Sequence, residues 1–213
     1  MLNLERKWSL IAAGSAVLLL ALGVGCRGFF VNQPTSVTVT PNAPSLAAGQ
    51  TQGFTAQAAF SDNTTKDVTS SATWSTSNPC IVAIIATGNG AGNATNVGTG
   101  GSVTVTASFN GVSGTATPTA PTGLLISPCQ PQKAVASAGG TFPQVVFQTG
   151  QAGITFSAAS GGTNVSATWT SSNTSVVTFP NPSTGTASFV GAGAATITAT
   201  GSSETGSLAI VVQ

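Results

Sequence analysis

The sequence predicts an all-β protein: two tandem antiparallel β-sandwiches behind an N-terminal export segment. Three observations predict it. After residue 26, Val, Ile and Leu alternate with Thr, Ser and Ala in short runs. Clusters of Gly, Asn, Pro and Ser divide these runs, and the second half of the chain repeats the first. β-Branched residues suit a pleated, half-buried surface, and a period of two turns one face to a core and the other to water. No stretch after Cys26 sustains a 3.6-residue apolar period.

The export segment comes first. Glu5, Arg6 and Lys7 precede an uncharged run from Trp8 to Gly25, which is centred on Ala16–Leu22 and closes on Gly23, Val24 and Gly25. A charged, basic start, an apolar stretch and small residues at the cut make residues 1–25 a signal peptide. An uncleaved membrane helix is the alternative, but eighteen residues at about 1.5 Å each barely cross a hydrocarbon core of about 30 Å. Val24-Gly25-Cys26 resembles a bacterial lipobox. That resemblance implies a lipidated Cys26 and a membrane partner reached through the N-terminal lipid. Gly23 stands where the motif prefers Leu, and Gly23 with Gly25 also suits the ordinary signal peptidase, so both cleavages stay open. Arg27 rather than Asp after the cysteine implies sorting to the outer membrane or cell surface in a cell with two membranes. Residues 26–33 form a short tether.

Charge is the scarcest property of the chain. Its 213 residues include five Lys or Arg, four Asp or Glu, no His and no Tyr. An average chain is about a quarter charged. Without His the most common general base and neutral-pH metal ligand is missing. A near-zero net charge gives no footprint for nucleic acid. After removal of residues 1–25, Arg27, Lys66 and Lys133 balance Asp62, Asp67 and Glu204.

The repeat sets the domain plan. Ser71-Ala72-Thr73-Trp74-Ser75-Thr76-Ser77-Asn78 recurs as Ser166-Ala167-Thr168-Trp169-Thr170-Ser171-Ser172-Asn173, and Val103–Ala107 recurs as Ala195–Ala199. Ser36–Pro41 answers Leu124–Pro128. Three matches in one order predict a first domain over residues 34–118, a proline-containing linker over 119–122 and a second domain over 123–213. Asn110-Gly111 between two alternating runs predicts a hairpin turn, because both turn residues must accept positive φ. Trp74 and Trp169 are core markers, expected inward on a central strand. Two prolines, Pro118 and Pro121, predict an extended, semi-rigid joint.

Val37–Pro41, Leu46–Ala56, Phe60–Thr69, Ala72–Asn78 and Gly101–Ala107 are together similar to bacterial Ig-like domains of group 2. The resemblance covers nearly all of the first unit. The second unit departs from it, with Gly161-Gly162-Thr163-Asn164 in place of the Asp-containing turn and extra residues around Phe142–Gln148. The resemblance implies Ig-like sandwiches of the kind used on bacterial surfaces in adhesins, spacers and carbohydrate-associated proteins. It implies fold more than function.

Few residues offer chemistry. Asp62 and Asp67 flank Lys66 in one loop, but calcium takes six to eight oxygens, so a turn held by Asx hydrogen bonds is the better reading. Glu204 is expected at a solvated hairpin tip, and Lys133 in a Pro/Gln-rich loop. Cys80 and Cys129 are an even pair once Cys26 is lipidated. In an extended tandem, Cys129 lies about 20 Å from the junction, whereas a disulfide needs Cα atoms within about 7 Å. Only a folded-back arrangement, or a first strand of the second domain that starts elsewhere, joins them. Neither Cys has a second ligand at zinc spacing. A nucleophilic Ser lacks a base, and no helix follows the Gly-rich stretches. No catalytic, cofactor-binding or metal-binding residue is therefore assigned, and no cofactor is expected.

These readings converge on a non-catalytic surface module: structural, spacer or adhesive. The alternatives are a glycan- or protein-binding module acting through second-domain loops, or a subunit of a surface assembly. The assembly reading would use Val145–Phe156, an added hairpin or a long second strand, as an exposed edge; against it stands an ordinary strand lengthened within the core.

Overall fold

The computed structural model describes residues 32–137, 140–151 and 153–213. The export segment with Trp8, the lipidation candidate Cys26 and most of the tether lie outside the described residues. All helix and strand among the described residues is strand.

The first half contains β1 (Pro34–Thr40), β2 (Thr51–Gly53), β3 (Thr55–Phe60), β4 (Thr65–Asp67), β5 (Thr73–Thr76), β6 (Val82–Ile84), β7 (Asn93–Asn96), β8 (Val105–Phe109) and β9 (Val112–Ala116). They pair as β1-β3-β4, β2-β7-β6 and β5-β8-β9. Phe54 alone separates β2 from β3. The alternation in the sequence appears as alternating burial: Val37 and Val39 of β1, Ala56 and Ala58 of β3, Trp74 of β5, and Val105 and Ala107 of β8 share one core. The Asn110-Gly111 turn forms as the sequence predicts, with φ of 47° and 82° between the paired residues Phe109 and Val112.

The second half contains β10 (Leu125–Ser127), β11 (Gln132–Ser137), β12 (Gly140–Phe147), β13 (Ile154–Thr155), β14 (Ser157–Ser160), β15 (Thr163–Val165), β16 (Thr168–Ser171), β17 (Val177–Thr178), β18 (Thr186–Phe189), β19 (Gly193–Thr200) and β20 (Thr205–Val212). They pair as β10-β14-β15, β13-β18-β17 and the five-stranded β11-β12-β20-β19-β16. Phe147, Phe156, Trp169, Ile197 and Leu208 are buried at their centre.

The two halves repeat one construction down to single residues. Trp74 and Trp169 are 1% and 4% exposed. Each packs on a Phe, with Phe54–Trp74 centroids at 6.5 Å and Phe156–Trp169 at 6.1 Å. Beside each pair lies a glycine with positive φ, Gly92 at 84° and Gly185 at 70°. A Cβ there would strike the carbonyl of Phe54 or Phe156 and the Trp ring. One detail corrects the sequence reading. Both Trp side chains point inward, but β5 and β16 end their sheets instead of lying centrally. The pleat alone decides which way a side chain faces, whatever the strand's place in the sheet.

The second half also differs by an insertion. Leu46 follows Pro41 by five residues, whereas its counterpart Phe147 follows Pro128 by nineteen. The counterparts are matched by the turn after them: Gln50 Oε1 accepts from the Ala47 N–H, as Gln151 Oε1 does from the Gln148 N–H. The inserted residues form the β11–β12 hairpin, Gln132–Phe147, which overlaps Val145–Phe156 only at Val145, Val146 and Phe147. Those three residues lie within a sheet and not at a free edge, whereas Ile154–Thr155 ends a sheet of its own. β12 is bonded to β11 on one side and lies parallel to β20 on the other, with Val145 opposite Ile210 and Phe147 opposite Val212, while β13 pairs with β18. β11 lies at the end of this sheet, and it contains Lys133, which the sequence suggested for a loop.

Candidate functional site

Of the residues singled out in the sequence, Cys80 and Cys129 lie at the junction between the two sandwiches. Residues 97–99, just past β7, run antiparallel to the start of β20. The Ala209 N–H bonds the Val97 carbonyl at 2.7 Å and the Thr99 N–H bonds the Ser207 carbonyl at 3.2 Å. The Thr99 hydroxyl donates to the Leu124 carbonyl at 2.6 Å and accepts from the Ser207 N–H at 3.1 Å. One edge of β20 thus bonds residues 97–99 of the first sandwich and then β12 of the second. The cores also interlock, because Ala83 and Val97 of the first half are buried within the second core.

The inserted hairpin reaches back to the first sandwich. Gln132 Nε2 donates to the Pro79 carbonyl at 2.7 Å, and Asn93 Nδ2 donates to the Thr141 carbonyl at 2.8 Å. Cys80 and Cys129 are joined in a disulfide, with Cα atoms 5.3 Å apart. In an extended tandem the two would lie far apart, and the hydrogen-bonded junction brings them together. In the structure the joint is not a spacer. Thr119 bridges Ser45 and Ser102, and the Gly100 N–H bonds the Pro121 carbonyl at 2.9 Å. The chain then turns at Gly123, where a Cβ would strike the Thr205 carbonyl, and β10 folds back along the first sandwich.

A groove of about 350 Å³ lies in the angle of the junction, lined among others by Gly49, Thr95, Val97, Gln144, Ser172 and Thr196. It is uncharged. Thr95 is 4% exposed, and its Oγ1 has no hydrogen-bond partner among the described residues.

Elsewhere the charged residues act locally. Asp62 Oδ1 accepts from the Thr64 N–H at 2.9 Å and from its hydroxyl at 2.6 Å, the Asx turn the sequence suggests. Lys66 and Asp67 lie in β4 rather than in that loop. Lys66 Nζ lies 5.4 Å from the centre of the Phe60 ring. The Thr69 side chain, and then its backbone N–H, bond the Asp67 carboxylate and hold its pKa below the ordinary carboxylate value. Glu204 sits at a hairpin tip and accepts from the Ser160 hydroxyl at 2.8 Å. Among the described residues no three His, Cys, Asp or Glu side chains come together. Phe142 and Phe147, the aromatics that a glycan groove could have used, are 7% and 0% exposed.

Sequence reasoning missed Thr99, Gln132, Asn93 and Val97. Only the position of the insertion could have marked them, since each is an ordinary strand or loop residue taken alone.

The 49-residue separation of Cys80 and Cys129 means the disulfide restrains a long loop of the unfolded chain. Replacing both (Cys80→Ser with Cys129→Ala) should lower stability by about 4 kcal/mol, read from the urea midpoint. An unchanged midpoint would show that the hydrogen-bonded junction suffices alone.

The family profile of the bacterial Ig-like domain (group 2) matches residues 34–120. "Ice-binding protein 1" of Shewanella frigidimarina (strain NCIMB 400) is 38% identical over 181 residues, which cover 80% of this chain and 19% of that protein. This chain therefore spans about a fifth of that relative's length. Among solved structures, the S-layer protein SbsC shares 16% identity at a TM-score of 0.32, over 85% of this chain and 28% of that one. Domains 5–6 of the same protein share 14% at 0.32, over 85% and 98%. Residues 34–120, with Trp74 buried against Phe54 and the Asx turn at Asp62, are thus the stretch that matches the bacterial Ig-like domain of group 2.

Proposed function

We propose that the chain is a rigid, non-catalytic spacer at the bacterial cell surface, held to the envelope by a lipid on Cys26. The junction is the observation that carries this reading. A joint made of main-chain bonds, interlocked cores and a disulfide fixes the orientation of two modules, and a module that positions others needs that property. The relative named for ice binding has most of its length outside the matching stretch, which suits a stretch that positions rather than binds. Two spin labels on residues 28–213, one at Ser113 and one at Ser183, should give a single narrow distance distribution. A broad or multiple distribution would overturn the rigid spacer. Mass spectrometry of the mature N-terminus should find diacylglyceryl on Cys26, and an unmodified cysteine there removes the anchor.

A second reading is contact with ice, and hydroxyl rows on the second sandwich favour it. Thr168, Thr200 and Thr205 lie abreast across β16, β19 and β20, as do Thr170, Thr198 and Ser207. Strands about 4.8 Å apart with residues two apart along each make a regular uncharged lattice. Under this reading residues 28–213 inhibit ice recrystallisation, and Thr170→Lys with Thr198→Lys abolishes the effect. Inactivity of the unsubstituted protein leaves the spacer alone.

A further inference from the structure

Val190 is the more exposed of two open large hydrophobics among the described residues, at 52%. At an offset of 93 its counterpart is Val97, which is 1% exposed and seated in the second core. The backbone around the two is the same. The Val97 and Gly98 N–H groups both bond the Ile81 carbonyl, at 2.9 and 3.2 Å. Those of Val190 and Gly191 both bond the Val176 carbonyl, at 2.9 and 3.3 Å. A Cβ on Gly98 would strike the Cys80 carbonyl, and one on Gly191 the Ser175 carbonyl. The corners end alike at Gly100 and Gly193, with φ of 149° and 145°.

Their surroundings differ. The Val97 carbonyl accepts from the Ala209 N–H, whereas no described residue donates to the Val190 carbonyl. The first sandwich uses this corner to seat a neighbour, and the second sandwich presents the same corner bare.

We propose that the corner from Val190 to Gly193 is a docking surface for a further Ig-like sandwich built like residues 123–213, with the inserted hairpin. The occupant follows from what receives Val97: the open edge of a last strand, flanked by such a hairpin. A second copy of this chain does not offer it. Its β20 edge is already bonded to residues 97–99, and its first sandwich has no hairpin between Pro41 and Leu46. Three aids at the first corner are missing from the second, where Ser175 stands for Cys80, Ala192 for Thr99 and Thr186 for Asn93. Docking there is non-covalent and weaker than at the existing junction. The inference stands on the repeat geometry and is independent of the spacer reading.

The test extends the full chain after Gln213, the counterpart of Pro121, with a second copy of residues 122–213. Ser175→Cys then places a thiol where Cys80 stands in the first sandwich. It should form a disulfide with the appended copy of Cys129 in most molecules, identified by peptide mass mapping. Val190→Asp should cut that yield several-fold while leaving the melting temperature of the unextended chain unchanged. A Ser175→Cys thiol that stays free, or a yield indifferent to Val190→Asp, overturns the proposal. Amide exchange gives a check without either substitution. Exchange at residues 190–193 of the original sandwich, told from the appended copy by segmental isotope labelling, should slow at least tenfold on extension, and unchanged exchange there counts equally against docking.

Discussion

The open edge of β20 is the constraint on which the rest depends. A strand edge carries unmet N–H and C=O groups, and leaving them buried without partners is costly. Here Thr205–Val212 divides that edge between two suppliers. Ser207 and Ala209 bond residues 97–99 of the first sandwich, and Ile210–Val212 pair with β12. The position of each sandwich follows from this. The Cys80–Cys129 disulfide, the Gln132 and Asn93 bonds and the folded-back β10 are all compatible with one placement of residues 97–99 against β20.

Much of the fold was legible because it is written in local periodicity. The alternation of Val37 and Val39, or of Ile197 and Ala199, needs no knowledge of the partner strand to show which side is buried. Asn110-Gly111 specifies its own turn through φ. Trp74 and Trp169 were recognisable as core because two copies of one motif conserve the pleat around them. The junction was less legible, since it depends on what the chain does after Pro121. Nothing in the residues 118–121 themselves says that Thr119 will bridge Ser45 and Ser102 rather than run free. Extra residues around Phe142 were visible as a departure between the repeats, but not their destination beside Asn93 and Pro79. The disulfide is hidden for the same reason: along an extended axis Cys80 and Cys129 lie far apart, and only the junction brings them together.

The poverty of charge fits this construction. Interlocked cores and shared edges bring surface strands of both sandwiches close, and a Lys or Glu at Val97, Ala83 or Thr99 would lose its water there. Hydroxyls and amides tolerate such sites, as Thr99 shows by both donating and accepting across the junction. The same neutrality leaves the edge strand β11 with Lys133 as its only charge to discourage unwanted pairing.

The burial of Ala83 and Val97 beneath the second sandwich also bears on the order in which the chain is made. The first sandwich emerges first, yet two of its apolar side chains belong to a core whose remaining members are synthesised later. Until residues 123–213 have been made, that corner stays wet and Cys80 has no partner. The first sandwich is therefore born incomplete, and its maturation waits on β20.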